Sequence, residues 1–272
     1  MHTQYEIGVI GAGNAAEGIV DGILRQSVLL DDRIIASDPA EVRRELFHNR
    51  FHIAVTDDNR QVVENSYILI LAVKPQVFRE VCKGFADLVR DDHVIVSIMA
   101  GVSTATIEDQ FPNVNARVVR VMPNLPIHVG AGVAGIHPGK NATDADLLRA
   151  QRIFDAGGRC IVIDDESHMD AVTAVSGSGP AYFYYFTEAI TAAGEAAGLS
   201  HRQASLLAKH TCFGAARMML ESDDSPAELR EKVTSPGGTT QAALESMNEH
   251  HVFEHIQESV LAALHRSKEL GQ

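Results

Sequence analysis

The sequence predicts an α/β domain with a doubly wound, mostly parallel sheet over residues 1–165, followed by an all-α domain over residues 166–272. Three observations carry this. Short Val/Ile-rich runs alternate with helical patterns up to about residue 165, as in a parallel sheet covered on both faces. A Gly-rich turn joins the first strand to the first helix. After Asp164 the strand patterns stop, and only helices and turns follow.

Taken in order, Glu6 to Ile10 is a short apolar strand, Gly11-Ala12-Gly13 a turn and Ala15 to Gln26 a helix. Arg33 to Ser37 reads as the second strand, and Pro39 to Asn49 as a helix with Pro39 near its first position. Phe51 to Val55, Tyr67 to Val73, Val94 to Ile98, Val118 to Met122, Val129 to Ile136 and Cys160 to Ile163 complete the strands. In the second half, Pro180 to Gly198 and His201 to Ser222 are long helices. Ser225-Pro226-Ala227-Glu228 is a capping box that starts a third. Thr239 to Asn248 and Val252 to Leu270 are the last two.

Composition narrows the function. Acids outnumber bases 36 to 23 and the formal charge is −13, without the Lys/Arg clusters that a nucleic-acid surface needs. The longest apolar stretch, Tyr67 to Val73, is far short of the roughly 20 residues of a membrane helix. The three cysteines, Cys82, Cys160 and Cys212, lie far apart and form no zinc or disulfide pattern. With no basic n-region and apolar h-region at the start, the expectation is a cytoplasmic protein without a metal.

Ile7 to Ala16 reads strand, G-x-G-x-x-A turn, helix start. Gly11 permits the tight turn, Gly13 lets the backbone approach a pyrophosphate, and the small Ala16 lets the helix pack on the strand. The pattern points to a dinucleotide cofactor. At the end of the second strand the evidence is divided. Asp38 would hold the ribose hydroxyls of NAD, whereas Ser37 with Arg43 or Arg44 would serve NADP. Asp38 also reads as the N-cap of the next helix. Lys74 either contacts the cofactor or faces solvent.

Two runs in the helical half carry more Gly, Ser and Pro than ordinary connectors need: Ser176-Gly177-Ser178-Gly179-Pro180-Ala181-Tyr182 and Val233-Thr234-Ser235-Pro236-Gly237-Gly238-Thr239-Thr240. The second feeds a helix and contains no Lys or Arg, so its N–H groups suit a carboxylate. The alternative is a pair of helix connectors. With IGVIGAGN, LAVKPQ, VMPN and the ending ALHRSKEL, these runs resemble the pyrroline-5-carboxylate reductase family from residue 7 to 270.

The resemblance implies an N-terminal Rossmann domain, a helical domain that forms a homodimer, and dimers that assemble into decamers. It implies reduction of a cyclic imine to L-proline with NADPH, NADH being the alternative. The cofactor residues would be Gly11, Gly13, Asn14, Ala15, Ser37, Asn59, Ala72, Val73, Lys74, Ala100, Gly101 and Asn124, the last near the nicotinamide. The substrate loop would be Ser235, Gly237, Gly238, Thr239 and Thr240, lying against the cofactor of the partner subunit. Backbone amides would hold the substrate carboxylate. The catalytic contact would be the Thr240 hydroxyl on the imine nitrogen. Three positions depart from the family pattern: Leu125 replaces a Thr after VMPN, Ala15 replaces a Met, and Ala243 replaces a Gly.

Other readings are weaker. His250, His251 and His255 offer no third and fourth ligand for a metal beyond Glu254. The aromatics from Tyr182 to Phe186 cover every side of a helix, as at an interface. A β-hydroxyacid dehydrogenase would carry Asn four residues after its Lys, where Lys209 is followed by Phe213. A reductase of a related imine and a non-catalytic cofactor sensor remain as alternatives.

Overall fold

A computed structural model describes residues 4–271. Eight strands form one sheet: β1 Tyr5–Ile10, β2 Ile34–Ser37, β3 Ala54–Thr56, β4 Ser66–Leu71, β5 Val94–Ser97, β6 Arg117–Met122, β7 Gly132–Pro138 and β8 Gly158–Val162. Their order is β3-β2-β1-β4-β5-β6-β7-β8. Every neighbouring pair is parallel except β6 and β7. The order reverses between β1 and β4, which is where ligands settle in such sheets, beyond the carboxyl ends of the strands.

The strands are apolar because both faces are covered. One core holds Ile7, Val9, Ile34, Ile68, Ile70, Val94, Val96 and Val119, and the other Ile10, Ile35, Leu69, Leu71, Ile95 and Val118. Six helices accompany this sheet: α1 Asn14–Arg25, α2 Glu41–Phe51, α3 Asn59–Asn65, α4 Phe78–Lys83, α5 Thr104–Glu108 and α6 Asp144–Asp155.

Of the boundaries that differ from the sequence reading, three have a visible cause or consequence. Phe51 ends α2 instead of starting a strand, because it packs one turn from Phe47 with ring centroids 5.3 Å apart. Pro39 lies outside α2, whose N-cap is Ala40, and Asp38 does not cap the helix. Val129 ends a 3₁₀ turn, Leu125–Val129, closed by Gly130 at φ 71°, so β7 begins later.

The helical half contains α7 Met169–Val172, α8 Gly179–Ala196, α9 His201–Glu221, α10 Pro226–Lys232, α11 Thr239–Glu249 and α12 Val252–Leu270. Capping boxes open α9 at Ser200 and α10 at Ser225. By contact the chain divides into two units. The first runs to Ser178 and takes back the chain from Ala263; the second is Gly179–Ala262. The contact boundary therefore falls later than the change of class near residue 165. The cause is a polar clasp in the first unit: Arg120 of β6 bonds Glu166 at 3.1 Å, and Asp170 accepts from Ser267 at 2.7 Å.

Within the second unit α8 and α9 approach through small residues. A methyl group on Gly194 would lie 3.0 Å from the Ala204 side chain. Among its described residues only Ala204 and Ala208 are buried hydrophobics, while Tyr185 is 73% and Leu220 88% exposed.

Candidate functional site

The first unit carries an anion cradle at the switch point. Gly11 sits at φ 98° and its N–H donates to Ser37 O at 2.8 Å. A Cβ there would lie 2.8 Å from Ala72 O, so the tight turn requires glycine. Gly13 is different. As N-cap of α1 it is extended at φ −76°, and a Cβ would meet nothing within 4 Å. The methyl would project into open space before the helix, where a pyrophosphate needs close backbone approach. The first intrahelical bond is Glu17 N–H to Gly13 O, so the N–H groups of Asn14, Ala15 and Ala16 precede it and are unspent. These residues fit a dinucleotide.

The β2 end is arranged as one network. Asp38 accepts from Ala12 N–H at 2.9 Å and from Ala40 N–H at 2.8 Å. Ser37 is fully buried; its hydroxyl donates to Asn59 Oδ1 at 2.7 Å and lies 3.4 Å from Val9 O. The structure thus joins Ser37 to Asn59 but turns the hydroxyl into the sheet. Arg43 bonds Ala12 O and Glu17, and Arg44 bonds the carbonyls of Asp38 and Pro39.

Ala72 and Val73 follow β4 beside this turn, and Lys74 is exposed. Ala100 and Gly101 follow β5, where Gly101 at φ 75° packs against Gly271. Asn124 is committed: its Oδ1 accepts from Val133 N–H at 2.9 Å and its amide donates to Ser176 O at 3.2 Å. It therefore ties the SGSG run to the end of β6. Leu125 beside it is 55% exposed.

The second unit carries the other loop. Gly237 at φ 69° lets the chain double back into α11. Its N–H donates to Gln241 Oε1 at 2.7 Å, and Gly238 N–H donates to Ser235 O at 3.0 Å. Two amides proposed for the substrate are thus spent within the loop. The first helical bond is Ala242 N–H to Gly238 O, which leaves the N–H groups of Thr239, Thr240 and Gln241 unspent. Among the described residues the Thr240 hydroxyl makes no hydrogen bond. No ionisable side chain occurs from Val233 to Gln241, so within the loop itself the donors are backbone N–H groups and neutral side chains.

Two participants, Gln241 and the Arg120 clasp, escape the sequence reading, which names Asn124 without its structural role. Gln241 clamps Gly237, and its only signal was Gln-x-x-x-Glu spacing, which its amide uses to reach Glu245 at 2.8 Å. Asn124 joins two motifs read separately. The Arg120 clasp had no local signal. His251 lies in the turn between α11 and α12 at φ 52°, and its carbonyl accepts the His255 N–H at 3.0 Å.

Comparison with known proteins bears on both units. Residues 166–270 match a family model described as pyrroline-5-carboxylate reductase dimerisation, and residues 6–101 match one described as NADP oxidoreductase coenzyme F420-dependent. The chain is 40% identical to a pyrroline-5-carboxylate reductase of Pseudomonas aeruginosa, covering 98% of this chain and 97% of that one. It is also 40% identical to one of Methanosarcina acetivorans, with 99% of each covered. A solved pyrroline-5-carboxylate reductase from Coxiella burnetii superposes with a TM-score of 0.92 at 34% identity over 99% of both chains. One from Plasmodium falciparum, solved with NADP bound, superposes at 0.89 with 26% identity over the whole of both chains.

Proposed function

The chain belongs to the pyrroline-5-carboxylate reductase family, and we propose that its two loops carry the reduction of pyrroline-5-carboxylate to proline by NAD(P)H. The bound cofactor would supply the hydride; the protein supplies position and charge. Asn14, Ala15 and Ala16 offer the pyrophosphate N–H donors. Asn59, Ala72, Val73, Lys74, Ala100 and Gly101 border the rest of the dinucleotide. Asn124 acts through Val133 and Ser176, fixing the wall beyond β6.

The observation that carries the reading is the start of α11. Three unspent N–H groups and one free hydroxyl converge there on a chain segment without charge. They suit the substrate carboxylate, while the Thr240 hydroxyl holds the imine nitrogen and fixes which face the hydride meets. A protonated imine is already electrophilic, so no buried acid is needed. Holding both reactants in line supplies several kcal/mol. Ser235 packs its hydroxyl on Gly238, and Gln241 holds Gly237, so the loop is set before substrate arrives.

The same reading makes the working form a homodimer through the helical unit, with residues 1–165 as cofactor domain and 166–272 as substrate and dimer domain. The exposed apolar side chains of the helical unit, Phe183, Tyr185, Phe213, Leu220 and Phe253 among them, are what a subunit partner would cover. On our proposal the enzyme works in the cytoplasm, its substrate loop lies against the partner's cofactor, and dimers assemble into decamers. Among the described residues no helix is long and apolar enough to cross a membrane.

The test is loss of NAD(P)H absorbance on adding pyrroline-5-carboxylate to the purified protein. Imine-dependent oxidation with proline as product supports the reading. Cofactor binding without oxidation overturns it and favours another imine or a sensing role.

A further inference from the structure

We propose that Asp38 makes this enzyme select NADH over NADPH; the inference rests on the NAD(P)H reading and refines it. Asp38 stands one residue beyond the end of β2, where a Rossmann sheet meets the adenine ribose. Its carboxylate is fixed from two sides. Oδ2 accepts the Ala12 N–H at 2.9 Å, inside the dinucleotide turn itself, and Oδ1 accepts the Ala40 N–H at 2.8 Å. Each oxygen uses one lone pair in this way and keeps one more. Two remaining acceptors on one rigid carboxylate match the vicinal hydroxyls of an unphosphorylated ribose.

A 2′-phosphate would face that carboxylate instead, and the groups near enough in sequence to offset it are engaged. The Ser37 hydroxyl is fully buried and given to Asn59 at 2.7 Å. Arg43 donates to Ala12 O at 2.5 Å and pairs with Glu17 at 2.9 Å. Arg44 spends its Nη1 on the carbonyls of Asp38 and Pro39, both at 2.8 Å. Releasing Arg43 would strip Ala12 O of its donor inside the dinucleotide turn, and releasing Arg44 would strip the carbonyls of Asp38 and Pro39. Like charge beside the ribose position, with each guanidinium already anchored by part of its donors, favours the diol.

The experiment titrates the full-length enzyme with NADH and with NADPH separately, without imine, by nucleotide fluorescence. The wild type is expected to bind NADH at least tenfold more tightly. Asp38→Asn keeps one backbone acceptor and removes the charge, and should lower the NADH:NADPH preference at least tenfold, mainly by tighter NADPH binding. Arg43→Ala should leave the preference unchanged. A wild type that binds NADPH as tightly or more tightly overturns the proposal even if Asp38→Asn does not fold. So does an unchanged ratio in Asp38→Asn, or a selective loss of NADPH in Arg43→Ala. Because binding is read without substrate, failure to reduce pyrroline-5-carboxylate would refute the substrate assignment and leave this result standing.

Discussion

The two glycines of the dinucleotide turn separate fold from function, and a matched pair of alanine substitutions exposes it. At Gly11 the backbone is left-handed at φ 98°, and the new methyl would sit 2.8 Å from Ala72 O. The conformation costs about 1–2 kcal/mol for an L-residue. Relieving an overpacked backbone contact costs about 1–3 more. The gain from a stiffer unfolded chain returns about 0.4–1 kcal/mol. Gly11→Ala should therefore destabilise by about 1–4.5 kcal/mol. At Gly13 the φ of −76° is open to any residue and the methyl meets nothing within 4 Å. Alanine is a poorer N-cap by a few tenths to about 1 kcal/mol, and the unfolded-chain term offsets this. Gly13→Ala should lie within about 0.5 kcal/mol of wild type. Its methyl occupies the approach to the pyrophosphate, so cofactor affinity should fall at least tenfold, about 1.4 kcal/mol. Urea unfolding without cofactor, at one fixed protomer concentration, reads stability; nucleotide fluorescence reads binding. Wild-type binding by Gly13→Ala, or equal destabilisation by the two variants, would refute the reasoning.

Three further predictions follow from the same structure. Thr240→Val should lower kcat/KM for the imine roughly a hundredfold, the scale of one transition-state donor, while cofactor affinity stays unchanged and Thr240→Ser keeps most activity; steady-state kinetics decide it, and an active Val variant would remove Thr240 from the chemistry. Arg120 is 6% exposed and pairs with Glu166, whose carboxyl is pushed up by burial but held below its usual range overall by bonds from Thr104 and Arg120. A depressed folded value adds stability above the unfolded carboxylate range, and this is lost as pH falls through the folded value. Arg120→Met should cost about 3 kcal/mol near neutrality, since Thr104 still serves Glu166, and should start acid unfolding at higher pH; an unchanged acid limb in urea melts would contradict this. His93 is buried, which together with Arg90 lowers its pKa from 6.5 to about 4, while its Nδ1 accepts the Arg90 N–H. The unfolded state gains this proton first as pH falls, so wild-type stability should drop by about 3 kcal/mol between pH 6.5 and 4. His93→Asn keeps the acceptor and should flatten that slope; equal slopes would show that another group titrates there.

What the sequence revealed follows from the range of the forces involved. The strands were legible because a two-sided sheet needs continuous apolar runs, and Val94 to Ser97 or Ser66 to Leu71 can bury both faces nowhere else. The misread boundaries were local conflicts settled by tertiary contact. Phe51 has strand propensity, but one helical turn from Phe47 it finds an edge-to-face partner at 82°. The Gly-rich loops were legible because Gly11 and Gly237 answer a backbone requirement that no other residue meets cheaply. The clasp was not: Arg120 and Glu166 are 46 residues apart, and Asp170 and Ser267 are 97. No local pattern anticipates such a pair. Ser37 shows the converse, since the face on which its hydroxyl lies is set by strand register, which turns it onto Asn59.

The helical unit explains why the substrate loop and the subunit contact belong to one problem. Its helices meet through Gly194 and Ala204, which brings backbones together but buries little apolar area per contact. Phe213 at 64% and Phe253 at 65% exposure are left outside. A segment with so small a core cannot offset the entropy of ordering its own loops. Yet on the proposed function the loop at the start of α11 must hold the N–H groups of Thr239, Thr240 and Gln241 within a fraction of an ångström to position an imine. Gln241 and Ser235 order it locally with bonds worth about 1 kcal/mol each. The remaining stabilisation has to come from covering the aromatic surface. On the proposed dimer, subunit association therefore supplies the rigidity that the loop chemistry spends, and the free energy of assembly and the competence of the substrate site are linked quantities.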